Sequence, residues 1–211
     1  IFSGNSANVA GAAFNVGHTS GNSSPRFTNV IFSGNIALAS VGGAVYNFGI
    51  IGGNSSPVFT NTVFSGNLSG LNGGAMFSSG VSGTCKPIIS NSIFWNNKAN
   101  GLGNVFRNIE AQVTVSYSII QGLNNLNDAS ISANIGMGTT SDGGNNKPIG
   151  TDPLFISSPL ASAAPTTAGD FHVKYLSPAI DMGDNAANAE TIDLDSLPRI
   201  SNAIIDMGAY E

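Results

Sequence analysis

The chain has 211 residues, enough to bury a substantial core as one domain or as a domain with an appendage. Only 9% of residues are charged, against roughly 25% in ordinary globular domains, while Gly reaches 27 and Asn 26, so the surface is built from Asn, Ser, Thr and Gly rather than from ion pairs. The net charge of −5 argues against a nucleic-acid partner, no apolar run is long enough to span a membrane, and the single cysteine, Cys85, excludes an intrachain disulfide.

The chain opens on "IFSGN" at 1–5, which returns inside "NVIFSGN" at 29–35, "NTVFSGN" at 61–67 and "NSIFWNN" at 91–97. Spacings of 30, 32, 30 and then 26 residues separate Ile1, Ile31, Val63, Ile93 and Ile119, a period that marks a solenoid. Each period carries three landmarks. The first is a small-residue turn running into an apolar stretch: "GAAFN" at 11–15, "GAVYN" at 43–47, "GAMFS" at 74–78 and "GNVFRN" at 103–108. The second is a Pro-led strand, as in "SPRFTN" at 24–29, "SPVFTN" at 56–61 and "KPIISN" at 86–91. The third is F-x-x-N itself. Three short apolar segments per period, bounded by Gly, Asn, Ser or Pro, leave no room for a helix, and Glu, Lys and Arg are too scarce to favour one.

The expected fold is all-β: a right-handed parallel β-helix of about 4–5 coils of ~30 residues, three short strands per coil, over residues 1–122. Stacked coils place equivalent residues above one another. Phe14, Tyr46, Phe77 and Phe106 then form one aromatic stack, and Phe2, Phe32, Phe64 and Phe94 another. Asn29, Asn61 and Asn91 form one ladder and Asn5, Asn35, Asn67 and Asn97 a second, because Asn tolerates the left-handed backbone of a sharp corner and its amide bonds the next coil.

The "FSGN" and "GGA" elements resemble the F-x-x-N and G-G-A-I repeats of the polymorphic outer-membrane protein family and of larger bacterial surface proteins. "VGGAV" at 41–45 and "NGGAM" at 72–76 match best, whereas "AGAAF" and "LGNVF" depart. The resemblance covers roughly residues 1–122 and implies an extracellular or cell-surface protein. Because the chain opens within a repeat, the expectation is an excerpt whose export signal lies outside it.

From about Leu123 the repeat dissolves into a polar, loop-rich connection over 123–150, followed by a closing segment over 151–211 expected to pack on the last coil. Charge changes there too: residues 1–120 hold four basic residues and one acid, and 121–211 hold three basic residues and eleven acids. "TDPLF", "LSPAIDMGDN", Arg199 and "DMGAYE" resemble the closing segment of bacterial β-helix proteins of the choice-of-anchor type, in which a variable anchoring module follows.

Polysaccharide-cleaving chemistry needs paired carboxylates, or calcium-binding acids beside a base. Glu110 is the lone acid of the repeat region, and Arg26, Lys86, Lys98 and Arg107 fall at different positions of their coils. Asp181 and Asp184 share a tight turn, and Asp193 and Asp195 one side of a strand; the four supply oxygen ligands for a calcium ion, or cap turns and pair with Arg199. His18 and His172 lie far apart without a nucleophile motif and read as loop histidines. Trp95 stands where other coils have Ser3, Ser33 and Ser65, and if that column faces solvent its indole stacks on a sugar ring or a partner protein; otherwise it packs beneath a loop.

These readings lead to a non-catalytic extracellular scaffold, adhesin-like, whose partners are surface glycans or host or partner surface proteins. One alternative is a carbohydrate-active β-helix, a lyase or hydrolase with its active coils outside this sequence. Another is a filament subunit that self-associates head to tail through the open first coil.

Overall fold

The computed structural model describes residues 1–121, 138–148 and 150–211. Its repeats wind into a parallel β-solenoid of about four turns. The first coil holds β1 (Phe2–Ser3), β2 (Ser6–Ala7) and β3 (Ala13–His18); the second, β4 (Arg26–Ser33), β5 (Ile36–Ala37) and β6 (Val45–Ile50). The third holds β7 (Val58–Ser65), β8 (Leu68–Ser69) and β9 (Met76–Ser79). The fourth holds β10 (Ile88–Ser90), β11 (Ile93–Trp95), β12 (Lys98–Ala99) and β13 (Phe106–Ile109). A further layer starts with β14 (Gln112–Ser116) and β15 (Ile119–Ile120).

Three parallel sheets result. The first has eight strands and contains β1, β4, β7, β10 and β14; the second is β2–β5–β8–β12 and the third β3–β6–β9–β13. The Pro-led and F-x-x-N segments, two strands by their sequence signals, fuse in β4 and β7 into single eight-residue strands bent at Asn29 and Asn61. Asn29, Asn61 and Asn91 hold φ of 51°, 54° and 49°, the left-handed conformation that Asn adopts at lower cost than most residues. At the next corner Gly4, Gly34 and Gly66 take φ of 66°, 56° and 65°, and Asn96 replaces them at 57°.

Inside the solenoid, Phe32, Phe59, Phe64, Ile89, Phe94 and Phe106 belong to one buried cluster. The Phe2–Phe32–Phe64–Phe94 column stacks with ring centroids 5.0, 4.6 and 4.5 Å apart. The fourth member of the other aromatic column corrects the expected alignment. Phe106 lies opposite Met76 and Arg107 opposite Phe77, so Phe106 turns inward against Phe94 rather than joining Phe14, Tyr46 and Phe77. The left-handed glycines Gly42, Gly73 and Gly103 set this register, each three residues before Val45, Met76 and Phe106.

Two further corrections concern the boundaries. The solenoid does not stop at residue 122: β16 (Thr139–Asp142) pairs in parallel with β14, Gln112 facing Thr139. Residues 123–137 and 149 of the expected loop-rich connection lie outside the described residues. Nor is the closing segment confined to the last coil: it packs there on Ile93 and Ile119 but extends back to Ile31 and Val63. It contains the antiparallel pair β17 (Phe155–Ser157) and β18 (Asp170–Val173), and it lies lengthwise along the first sheet as a strap.

The reason is an alternation in the F-x-x-N strands. Phe32, Phe64 and Phe94 face inward, so their neighbours Ile31, Val63 and Ile93 face outward, and with Ile119 they form an apolar flank on the solenoid. Phe155, Phe171, Ala179, Met207 and Ala209 of the strap cover that flank. All four flank residues are thereby at most 1% exposed, a second core outside the first.

Candidate functional site

Backbone geometry makes each corner of the solenoid a row of hydrogen-bonding groups, and the side chains exploit that in several ladders, of which three bear on the site. In the inner one, Asn35 Oδ1 accepts from both the backbone and the side-chain amide of Asn5 at 3.1 and 2.8 Å. Asn67 does the same for Asn35 at 3.0 and 2.9 Å, and Asn97 for Asn67 at 3.1 and 2.8 Å. Here the preceding glycine or Asn96, not the ladder asparagine, takes the left-handed turn. A ladder not singled out from the sequence runs through Asn15, Asn47 and Ser78 at 2.9 and 3.3 Å. Asn108, in register with Ser78, continues it to Thr140 at 2.8 Å. Its signal was the "FN", "YN", "FS" and "RN" following the small-residue turn.

The third ladder holds the strap. Asn61 Nδ2 donates to Asn29 Oδ1 at 3.1 Å and Asn91 Nδ2 to Asn61 Oδ1 at 3.0 Å. The same amide groups donate outward: Asn29 to the Ile192 carbonyl, Asn61 to Asn188 Oδ1 and Asn91 to the Asp184 carbonyl, at 2.8, 2.8 and 3.0 Å. One pass of the strap, 184 to 192, thus descends from the fourth coil to the second. An earlier pass follows the glycine corner, where Ser158 accepts from Asn96 Nδ2 at 3.1 Å and the Thr166 amide donates to the Gly34 carbonyl at 3.0 Å. A Cβ on Gly34 would stand 2.2 Å from the Thr166 carbonyl oxygen, so the strap's approach requires glycine there.

This course settles the place of Trp95. The Ser33 and Ser65 positions are 1% and 0% exposed, beneath the strap rather than facing solvent. Trp95 lies opposite Ser65 and packs, half-buried, against the strap's apolar cluster. It is not a free stacking platform.

The four aspartates read as calcium ligands do not share one set of partners, and among the described residues no group of three or more His, Cys, Asp or Glu is placed to hold a metal ion. Asp184 caps the 3-10 turn Asn185–Ala187 through the Ala186 amide. Asp193 Oδ1 accepts from the Asp195 and Leu197 amides at 2.9 and 3.0 Å, and its Oδ2 from the Glu211 amide at 3.0 Å. The Asp181 backbone amide donates to Asp206 Oδ1 at 2.7 Å, while the Asp181 carboxylate keeps a buried Oδ1 without a hydrogen-bond partner among the described residues. Asp195 instead meets His172.

Arg199, 1% exposed, is the hub of this closure. Its guanidinium donates to Glu211 Oε2 at 2.9 Å and to the carbonyls of Asp206, Gly208 and Tyr210 at 3.1, 2.6 and 3.0 Å. Burial pulls its pKa down, against the opposing pull of Glu211, Asp206 and Asp193. His172 lies on β18, with Nδ1 2.5 Å from Asp170 Oδ1 and Nε2 2.7 Å from Asp195 Oδ2, and its ring stacks on Tyr210. His18 is not the loop residue expected: it is the exposed last residue of β3, beside the Thr19 hydroxyl.

Among the described residues two open surfaces adjoin the coils. A cleft of about 720 Å³ beside the fourth coil is lined by Asn97, Lys98, Asn104, Phe106, Gln121 and Leu160 among others; its described lining holds one charged group and no carboxylate. On the outer face of the third sheet, Phe14 and Val16 are exposed, and Tyr46, Phe48 and Ile50 are half-buried. Phe14 stacks on Tyr46 at 4.7 Å and 16°, and Tyr46 on Phe48 at 5.4 Å and 22°.

Compared with known proteins, the chain matches no family model, no curated protein and no solved structure.

Proposed function

We propose that the chain is a non-catalytic extracellular scaffold, an adhesin-like module that holds a partner protein on the outer face of its third sheet. The observation that carries this reading is the apolar strip Phe14, Val16, Tyr46, Phe48 and Ile50, left uncovered while the neighbouring flank is buried under the strap. Contiguous apolar surface on a folded protein marks an interaction site. Phe14, Tyr46 and Phe48 stack in series, so the central ring, Tyr46, presents its edge rather than an open face. Edges suit an apolar protein surface better than a sugar, which stacks on a free ring face.

Support for a non-catalytic role comes from the chemistry of the coils. Glu110 is their lone acid through residue 120, and the cleft beside them offers Lys98 without a carboxylate. The extracellular setting rests on the resemblance of the F-x-x-N and G-G-A elements, and of the closing segment, to bacterial surface proteins.

The test is binding of the purified protein to arrays of cell-surface proteins and of glycans, beside a polysaccharide-depolymerisation screen with and without calcium. Protein binding that disappears in Tyr46→Asp and Phe48→Asp, both still folded by circular dichroism, is the expected result. Glycan binding indifferent to both substitutions would remove the strip from the account, and released unsaturated sugars would overturn the non-catalytic reading.

A further inference from the structure

We propose that His172 is a proton-operated latch that ties β18 of the strap to the strap's closing turns, closed in mildly acidic solution and loosened in alkaline solution. Its imidazole joins pieces of chain distant in sequence: Asp170 on its own strand β18, Asp195 in the turn after Asp193, and Tyr210, whose ring lies 3.9 Å away at 23°.

Both ring nitrogens lie within hydrogen-bond distance of a carboxylate oxygen. Only the imidazolium donates to both. A neutral imidazole carries one N–H and turns a lone pair toward the second carboxylate, so one of the two contacts becomes repulsive. The side chains of His172, Asp170 and Asp195 are 39%, 44% and 46% exposed, so protons reach the site without prior opening.

The other charged groups of this closure are already committed. Asp193 accepts from the Asp195, Leu197 and Glu211 amides, and Glu211 is held by Arg199. None of them replaces a proton lost from His172. Burial disfavours the charged ring, but the hydrogen bonds it donates to Asp170 and Asp195 outweigh that and raise the His172 pKa. The stabilisation is therefore complete below the ordinary histidine value of 6.5 and is lost as pH rises through the raised one. Asp206, buried in the same closure, acts in the same direction, because its ionisation near pH 6 adds a buried charge as the medium becomes alkaline. Loosening the strap uncovers the flank Ile31, Val63, Ile93 and Ile119 with the outward amides of Asn29, Asn61 and Asn91.

Trp95 is the single tryptophan and packs against the strap, so its fluorescence reads the latch directly. Acrylamide quenching is followed from about pH 5 to about pH 9, a range that spans histidine titration, with far-UV circular dichroism reporting on the solenoid. Quenching rises with pH in the wild type while the dichroism holds. In His172→Gln quenching stands above the wild type in acid and keeps only the step from Asp206 ionisation near pH 6, and in Asp195→Asn the wild-type midpoint moves down as an opposite charge is removed. A flat wild-type profile, or variants that follow the wild-type curve, overturns the latch. If His172→Gln does not fold, the histidine NMR titration of the wild type decides: a His172 midpoint at or below that of free imidazole overturns the proposal, and one above it, coincident with the quenching transition, supports it.

Discussion

Asn91 and Asp184, 93 residues apart in sequence, exchange two hydrogen bonds: the Asp184 amide donates to Asn91 Oδ1 at 2.8 Å, and Asn91 Nδ2 donates to the Asp184 carbonyl at 3.0 Å. The other proton of the same side chain goes to Asn61 Oδ1 at 3.0 Å. One buried amide thus joins coil to coil and solenoid to strap.

Asn91→Ala removes all three bonds and places a Cβ residue with no compensating side chain at φ 49°. At about 1 kcal/mol per bond and about 1 for the left-handed backbone, the loss is about 4 kcal/mol. Asn91→Gly relieves the backbone alone and recovers about 1 kcal/mol. Urea denaturation of the three proteins measures this, and equal losses in both variants would exclude the backbone contribution.

Phe64 lies between Phe32 and Phe94, with centroids 4.6 and 4.5 Å away, and is fully buried. Phe64→Ala should destabilise by about 4 kcal/mol through lost transfer energy and the cavity left in a stack that cannot collapse along its axis. Phe64→Leu keeps most of the volume and costs about 1–2 kcal/mol. A similar cost for both would mean that ring stacking, rather than filled volume, dominates the core.

The Cys85 thiol donates to the Asn47 carbonyl at 3.7 Å, and burial pushes its pKa up to about 12 despite hydrogen bonding with Ser78 and Ser79. Iodoacetamide at mildly alkaline pH should leave the native protein unmodified and label it once urea opens the coils. Native labelling at the rate of a free thiol would contradict that burial.

Asp206 accepts from the Asp181 amide, and burial raises its pKa from 3.8 to about 6. The folded protein therefore holds this proton more tightly than the unfolded chain does. The resulting stabilisation is complete below pH 3.8 and disappears as pH rises through about 6. Asp206→Asn removes that dependence and should stabilise the protein by about 1–2 kcal/mol at neutral pH, while changing little in acid. Parallel denaturation curves at acidic and neutral pH measure the difference; an unchanged gap between them would show that the buried carboxyl is not responsible.

The period of the solenoid was legible because F-x-x-N and its glycine turn impose residue types at fixed corners: Asn29, Asn61 and Asn91 bend the chain, and Phe32, Phe64 and Phe94 fill it. Phe106 was misaligned because aromatic identity was matched across coils, whereas the left-handed Gly103 determines the register. The strap was the larger omission. Its signal is the pair of adjacent apolar residues in "VIF", "TVF", "SIF" and "SII", since successive strand residues point to opposite faces and two in a row require burial on both. The role of His172 was not readable at all, because Asp195, 23 residues away, becomes its partner only when the strap folds back.

A solenoid whose coils touch only their neighbours can melt one coil at a time and grow in the order of its synthesis. Here Thr166 bonds Gly34 and Asp184 bonds Asn91, so distant coils share one late-synthesised piece of chain. Cooperativity is gained, and folding is delayed by the long loops that must close first. A ribosome releasing this chain presents Ile31, Val63, Ile93 and Ile119 as a bare apolar strip until Met207 and Ala209 emerge to cover it, and during that interval a chaperone is the physically reasonable companion.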